Sequence, residues 1–519
     1  MKKRLLLNIL FSIVVVVSLH ITLQSVGQGI IIPVGSYFSI PSGDYVRMTG
    51  ADTLTIQSSA TGTGSLICNG TITGPSKVER YMTGAKWHIV TPPVSGQSFT
   101  SFILNAANNI PSLSGTNPLQ YGVMDYDEAT DKWSTTFTAD KSGNFSVMKG
   151  YSVRNRADGK IVFKGNLTTG NQSSTLTRGK YGWTCLGNPY SSIITAKGAG
   201  GLLASNSASL DPLFAGLYLW DEQANYNNSG LKKDYRVICN TPYSFPFNIV
   251  EESQQYIAAG QGFFVKSKTG GGTFSFTPSM QMHQSGSYFK AVQANWPAIR
   301  ITANGNNATT STVIAFNSEM TRGLDPTYDV GMLKGNPDFS VFSRMNASDG
   351  TDFAVQARPE SSLDADTIAI GIDCKTASAV TFKIEKAFFP EDCDIVFEDR
   401  QNRTFTELSE SDELNYTTNV IANNKGTGRF FLHINNKSTN INAIPEHKFN
   451  TYSSSNRIHV SGILSEIKDI AIYYIDGKLA ELNKQNSNLL FSSKELPRGI
   501  YVVKISGTKF TKSYRVLVD

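Results

Sequence analysis

Four landmarks recur in the same order along this chain. Trp87 opens WHIVTPPVS and Trp183 opens WTCLGNPYS, each with a proline six residues on (Pro93, Pro189) and a serine eight on (Ser95, Ser191). GVMDYDE at 122–128 matches GLYLWDE at 216–222, KGYSVR at 149–154 matches QGFFVK at 261–266, and IVF at 161–163 matches FSF at 274–276. The Trp-to-Gly gaps are 35 and 33 residues. Such order limits the fold more than any single motif does, because two copies of one unit must each find a place to bury the same face. The copies run from about 80 to 168 and from 176 to 284, and the extra length of the second falls around 225–255, where a loop absorbs it. In each copy the Trp begins a buried strand and the Pro marks its exit, since Pro cannot donate to a ladder. The Gly-aromatic-x-Val segment reads as a central strand. SFTSFILNAANN at 98–109 carries a short helical period; the corresponding SSIITAKGAGG has glycines that end a helix early.

The rest of the chain follows the same short rhythm. Residues 28–76 alternate brief apolar runs with Gly, Ser and Thr turns, the pattern of a few rungs of a β-solenoid or of meandering hairpins. Residues 285–435 hold eight strand-like segments: AIRITANG, TSTVIAFN, FSVFSR, FAVQAR, TIAIGID, AVTFKIEK, DIVFED and GRFFLHI. Regular spacing of this kind predicts an antiparallel β-sandwich. Polar residues 436–448, with Pro445, read as a linker. The whole is predicted to be all-β and multidomain, with 77–284 as the duplicated unit.

The first residues carry an address. Lys2, Lys3 and Arg4 precede an apolar run from Leu5 to Leu19, and Ser25 and Gly27 sit at the −3 and −1 positions of a cut before Gln28. This is the layout of a signal peptide spanning 1–27. The run is shorter than the ~20 residues of a spanning helix, so no transmembrane anchor is expected and the product is expected outside the cytoplasm, at the cell surface or secreted. Of the net charge of +5, three belong to Lys2, Lys3 and Arg4. No basic run or basic-aromatic stripe points to nucleic acid. The five cysteines show no CxxC spacing. Export permits disulfides; Cys374 and Cys393 share one predicted domain and are the pair a bridge would join, with buried free thiols as the alternative.

Catalytic patterns are sparse. No two histidines sit at i, i+4, and there is no HExxH, GxSxG, P-loop or GxGxxG. Neither a metal nor a cofactor is expected. Cys185 and His88 lie near equivalent positions in the two copies but alternate faces, which argues against a nucleophilic pair. Asp127-Glu128 and Asp221-Glu222 follow an aromatic in both copies; repetition favours turn chemistry over an acid–base pair. Asp325 and Asp329 in GLDPTYD supply oxygen ligands suited to calcium, although a solvated loop is the better reading. Tyr126 and Trp220 lie near predicted loops and are the candidate glycan contacts, set against the usual burial of aromatics in β-proteins. Asp52-Thr53-Leu54 and Asp366-Thr367-Ile368 resemble Bacteroidota O-glycan acceptors, a tripeptide common by chance.

The tail, 449–519, is the most specific segment. IKDIAIYYIDGKLAEL places Ile470, Ile472 and Tyr474 on one face before the Asp476-Gly477 turn. LPRGIYVVKISG aligns Tyr501, Val503 and Ile505, and KSYRVLVD aligns Tyr514, Val516 and Val518. With Leu496, Pro497, Gly499, Tyr501 and Lys512, this segment resembles the C-terminal sorting domain of the type IX secretion system of Bacteroidota, in its type A form. That resemblance implies an Ig-like terminal domain, recognition by the type IX secretion machinery, passage across the outer membrane, and attachment to surface lipopolysaccharide or release. Residues 77–435 resemble, more loosely, β-rich surface proteins of the same bacteria. The reading is an exported surface protein of non-enzymatic role in adhesion, in contact with glycans or other surface proteins, or in surface structure. The competing reading is a carbohydrate-binding or polysaccharide-processing enzyme with an unrecognised acidic site.

Overall fold

The computed structural model describes residues 29–220, 235–243, 256–283, 296–345, 350–408, 412–436, 449–461, 467–484, 490–507 and 511–518. The signal peptide with its cut between Gly27 and Gln28, most of the inserted stretch 225–255, and the linker past Asn436 lie outside the described residues. Among the described residues strand makes up 54% and helix 6%, so the protein is all-β. It divides into two compact units: one runs to Phe397 and resumes over Thr406–Asn435, the other comprises Glu398–Phe405 and Asn436–Asp519.

The large unit opens as a short β-solenoid. Ile30–Ile32, Leu54–Ile56 and the start of Ser76–Met82 pair in parallel, as do Tyr37–Ile40 with Ser65–Cys68 and Tyr45–Arg47 with Thr71–Thr73. In-register parallel rungs send equivalent side chains the same way, so Ile32, Ile56 and Val78 stack inward. Strand Ser76–Met82 then pairs antiparallel with Gly159–Leu167. One strand thus serves solenoid and duplicated unit, and the expected boundary at 76 falls within it. Their apolar residues, from Ile32 through Phe102 to Phe163, form one core.

The two copies share a topology. The first builds a sheet in the order Trp87–Val90, Tyr151–Arg154, Val123–Asp127, Lys132–Trp133; the second builds Trp183–Gly187, Gly262–Lys266, Leu217–Leu219, Arg236–Ile238. Registers agree as well: Trp87 lies opposite Arg154, and Trp183 opposite Lys266. Each copy adds a second ladder, Ser76–Met82 with Gly159–Leu167 and Gln172–Leu176 with Gly272–Phe276. Each also has a five-residue helix, Phe99–Ile103 and Leu202–Asn206. The second helix corrects the sequence reading: its glycines precede the helix, and Gly201 stands at the N-cap rather than ending it.

The remainder of the large unit is one long sheet folded over its own core. Its order runs from Thr404–Leu408 through Cys393–Asp399, Phe430–Asn436, Ala365–Cys374, Phe339–Arg344, Phe353–Pro359, Ala308–Asn317 and Ala298–Gly305 to Ser378–Ala387 and Glu413–Val420. All eight strand-like segments of the sequence are strands. The ends of the sheet face each other: Phe382 meets Phe397 and Phe430, with ring centroids 5.3 and 4.7 Å away. One ladder departs from the antiparallel expectation, Val313–Asn317 lying parallel to Phe353–Pro359 along the matched register.

The small unit is a two-layer sandwich. Asn450–Ser454, Arg457–Ser461 and Leu490–Ser492 form one sheet; Leu479–Lys484, Ile467–Tyr474, Gly499–Gly507 and Thr511–Val518 form the other. The period-two faces read from the tail are the core faces: Ile470, Ile472, Tyr501, Val503, Ile505, Val516 and Val518 are buried together with Ile458 and Phe491.

Candidate functional site

The segment GWTCLGNPYSS mixes residue types of an active site, and the structure accounts for them one by one. Trp183 packs edge-on against Tyr218 and Phe214. Cys185 is buried, and burial pushes its thiol well above the ordinary cysteine range, which removes the thiolate that nucleophilic chemistry requires. His88 is occupied with Thr83, its Nε2 lying 2.9 Å from the Thr83 carbonyl oxygen. The buried Asn188 amide donates to the carbonyls of Ser192, Ile257 and Ala258, and its Oδ1 accepts from the Tyr190 N–H. Ser191 Oγ donates to Leu66 O in the solenoid, and Ser192 Oγ to Gln281 Oε1. The segment is a structural hub.

The hub lies on a seam with internal two-fold character. Lys149 bridges to Leu186 in the second copy, and Gln261 bridges to Val90 in the first. The N–H of Gly187 donates to Met148 O at 2.8 Å, and the N–H of Thr91, its equivalent, donates to Gly260 O at 3.0 Å. Met148 and Gly260 both adopt positive φ, 70° and 63°. A Cβ on Gly150 would collide with Cys185 Sγ, and one on Gly262 would collide with Ile89 Cγ2. Ile89 and Cys185 are matched positions, so each landmark glycine admits the matched apolar side chain of the other copy. Their φ values are ordinary; close approach demands the glycines.

The acidic candidates among the described residues are each engaged by hydrogen bonds from nearby backbone or hydroxyl groups. Asp127 accepts from the Ala129 N–H and Thr130 Oγ1, and the Thr130 bond leads in holding its carboxyl below the usual range. Glu128 accepts from Thr177 Oγ1. Asp221 and Glu222 lie outside the described residues. Asp325 and Asp329 are no solvated pair. Asp329 is fully buried, Oδ1 accepting from Ala357 N at 2.7 Å and Oδ2 from Asp325 N at 2.6 Å. Burial lifts it to about 7, outweighing those two donors. The loop it anchors docks on the second copy, where Asn240 N donates to Thr327 O, Thr241 Oγ1 to Tyr328 O and the Tyr218 hydroxyl to Gly331 O. Among the described residues no group of three or more His, Cys, Asp or Glu is arranged to hold a metal ion.

Tyr126 is not a glycan platform. It is 7% exposed, its hydroxyl donates to Asp131, and its ring is closed by Phe264 of the other copy and by Trp133 at 4.9 and 5.6 Å. Trp220 is half-buried and edge-on to Tyr235. Cys374 and Cys393 are not bridged: both are buried free thiols, Cys374 donating to Thr376 O and Cys393 to Leu363 O. The alternative reading of the cysteines is the one the fold adopts.

In the tail, Asp476-Gly477 forms the turn of the hairpin between Ile467–Tyr474 and Leu479–Lys484, with Gly477 at φ 87° and the Lys478 N–H donating to Asp476 Oδ1. Leu496 and Tyr501 are buried, and the Tyr501 hydroxyl donates to Pro497 O at 2.7 Å, fixing the entry to the strand that Gly499 begins. Lys512 stands opposite Ile505 in the final strand.

Two features escaped the sequence reading. One is a buried asparagine in each copy, Asn108 and Asn206. The other is an open pocket of about 420 Å³ lined by Lys386–Pro390, Glu391 and Asp412. Its Phe388 is 53% exposed and holds φ 56°, whereas Phe389 turns inward onto Phe316. Two adjacent phenylalanines give no sequence signal as to which one faces out.

No helix among the described residues is long and apolar enough to cross a membrane. No curated protein matches the chain. Among solved structures it is similar to HBP35 of Porphyromonas gingivalis at 12% identity, covering 30% of this chain and 64% of that one with a TM-score of 0.11. It is also similar to a "Biofilm associated protein - BSP domain" at 11% identity, covering 85% and 92% with a TM-score of 0.17. Residues 15–433 match DUF8693, a domain of unknown function, and the chain belongs to that family.

Proposed function

We propose that the chain is an exported β-rich protein of the bacterial surface with a non-enzymatic contact or structural role, and that residues 449–519 are its type IX sorting signal. The observation that carries this reading is the self-contained sandwich of the small unit. It has its own buried core, and its last strand, Thr511–Val518, pairs along its length with Gly499–Gly507. A hairpin of this length built into its own core suits a folded recognition element. Asp476, Gly477, Leu496, Pro497, Gly499, Tyr501 and Lys512 supply its turn, its strand entry and its final strand. In this reading the secretion machinery binds the tail, and surface lipopolysaccharide is the attachment point after transfer. The large unit then presents its β-surfaces to glycans or neighbouring surface proteins.

The test is deletion of 449–519 in the native host. Retention of the truncated protein in the periplasm supports the proposal. Undiminished arrival at the surface or in the medium refutes it.

A further inference from the structure

We propose that the pocket at Phe388 is a binding subsite for a neutral polysaccharide, with one sugar ring stacked on the exposed face of that phenylalanine. The inference begins from an unusual conformation. Phe388 follows directly on strand Ser378–Ala387 and adopts φ 56°, a region that bulky side chains avoid. The backbone there sends Phe389 into the core against Phe316 and leaves Phe388 53% exposed. Strain that leaves about half of an aromatic side chain in solvent marks a position held for contact. The ring stands at a pocket of about 420 Å³, within the range of small-ligand sites.

The surroundings select the ligand. Pro390, Ala387 and the two phenylalanines supply the pocket's apolar lining, and Lys386, Glu391 and Asp412 its charged lining. The C–H bonds on one face of a pyranose fit the negative face of an aromatic ring, and its hydroxyls both donate to carboxylates and accept from an ammonium. Two carboxylates beside one ammonium disfavour an acidic sugar, the more so because Lys386 Nζ already lies 3.8 Å from Asp412 Oδ1. A peptide added as a strand has no edge to join. Ser378–Ala387 is paired on one side with Ala298–Gly305 and on the other with Glu413–Val420, and the Lys386 N–H donates to Asp412 O.

This assignment deepens the surface-contact reading, and the two fail separately, since export is scored in cells and binding on the purified chain. The experiment is affinity electrophoresis of residues 28–519 in gels containing laminarin, mannan, arabinogalactan or xylan, with polygalacturonate as the acidic comparison. Retardation of the native chain by at least one neutral polysaccharide is expected, lost in Phe388→Ala and Phe388→Gly and kept in Phe388→Trp. The Phe388→Gly chain, relieved of the positive φ, is expected to melt no lower than the native chain, which separates lost binding from lost folding. The proposal is overturned if no neutral polysaccharide retards the native chain, if only polygalacturonate does, or if Phe388→Gly is retarded as strongly as native.

Discussion

Asn108 and Asn206 make the same hydrogen bonds in the two copies of the duplicated unit. Asn108 Nδ2 donates to Phe102 O at 2.9 Å and its Oδ1 accepts from Val162 N at 2.8 Å. Asn206 Nδ2 donates to Leu202 O at 2.9 Å and its Oδ1 accepts from Ser275 N at 2.7 Å. Val162 and Ser275 are the middle residues of the matched IVF and FSF segments. Each amide pins the short helix of its copy to the same strand. Replacing either by Ala removes the acceptor of the Val162 or Ser275 N–H, at ~1–3 kcal/mol for a buried donor left without a partner. Asn108→Ala and Asn206→Ala should each lower stability by about 1–3 kcal/mol on that basis, read as a fall in the urea midpoint. Equal losses in the two variants would reflect the shared role; a loss in neither would show that the amides do not hold the helices.

The seam predicts a second reciprocal pair. Gly150→Ala and Gly262→Ala each force a methyl into the matched side chain of the other copy, Cys185 or Ile89. Overpacking of this kind costs roughly 1–3 kcal/mol. The compensating change follows from the contact: Cys185→Ala, which truncates the side chain facing Gly150, should recover part of the stability lost in Gly150→Ala. A double-mutant cycle in urea measures that coupling, and a coupling energy near zero would contradict the packing described.

Asp329 sets a pH dependence. Its folded value, about 7, lies above that of an unfolded carboxyl. Between roughly pH 4 and pH 7 the folded state therefore holds a proton that the unfolded state has released. Stability falls as pH rises through that window, by an amount on the order of 3–4 kcal/mol. Asp329→Asn has no such proton to lose, so its denaturation midpoint should vary less between pH 4 and pH 7 than that of the native chain. Indistinguishable slopes would place the titration elsewhere.

All five cysteines are buried free thiols, and burial raises the thiols of Cys68, Cys185, Cys239, Cys374 and Cys393 above their ordinary value. Low thiolate content and lack of access both suppress reaction. The native chain should react slowly with Ellman's reagent and release five equivalents once unfolded, with no change in mass on reduction. A gain of two mass units on reduction would reveal a bridge.

Much of the fold was legible in the sequence. Apolar alternation at Ile470 and Ile472, at Tyr501, Val503 and Ile505, and at Val516 and Val518 named the core faces of the small unit, because a strand can bury only one parity of residue against a facing sheet. The repeated landmarks named two copies, and one topology in one register is what they share. Tertiary structure alone decided how the copies meet. The reason Gly150 and Gly262 are glycines lies in side chains that belong to the other copy. The burial of Tyr126 depends on Phe264, more than a hundred residues away, so a residue placed near a loop by sequence became interior. Asp329 read as a solvated turn because a local pattern carries no record of the surface that docks on it. Local periodicity fixes which way a side chain points from its own strand. What waits on the other side is set by packing between distant segments, and at Phe388 the packing leaves the ring in the open.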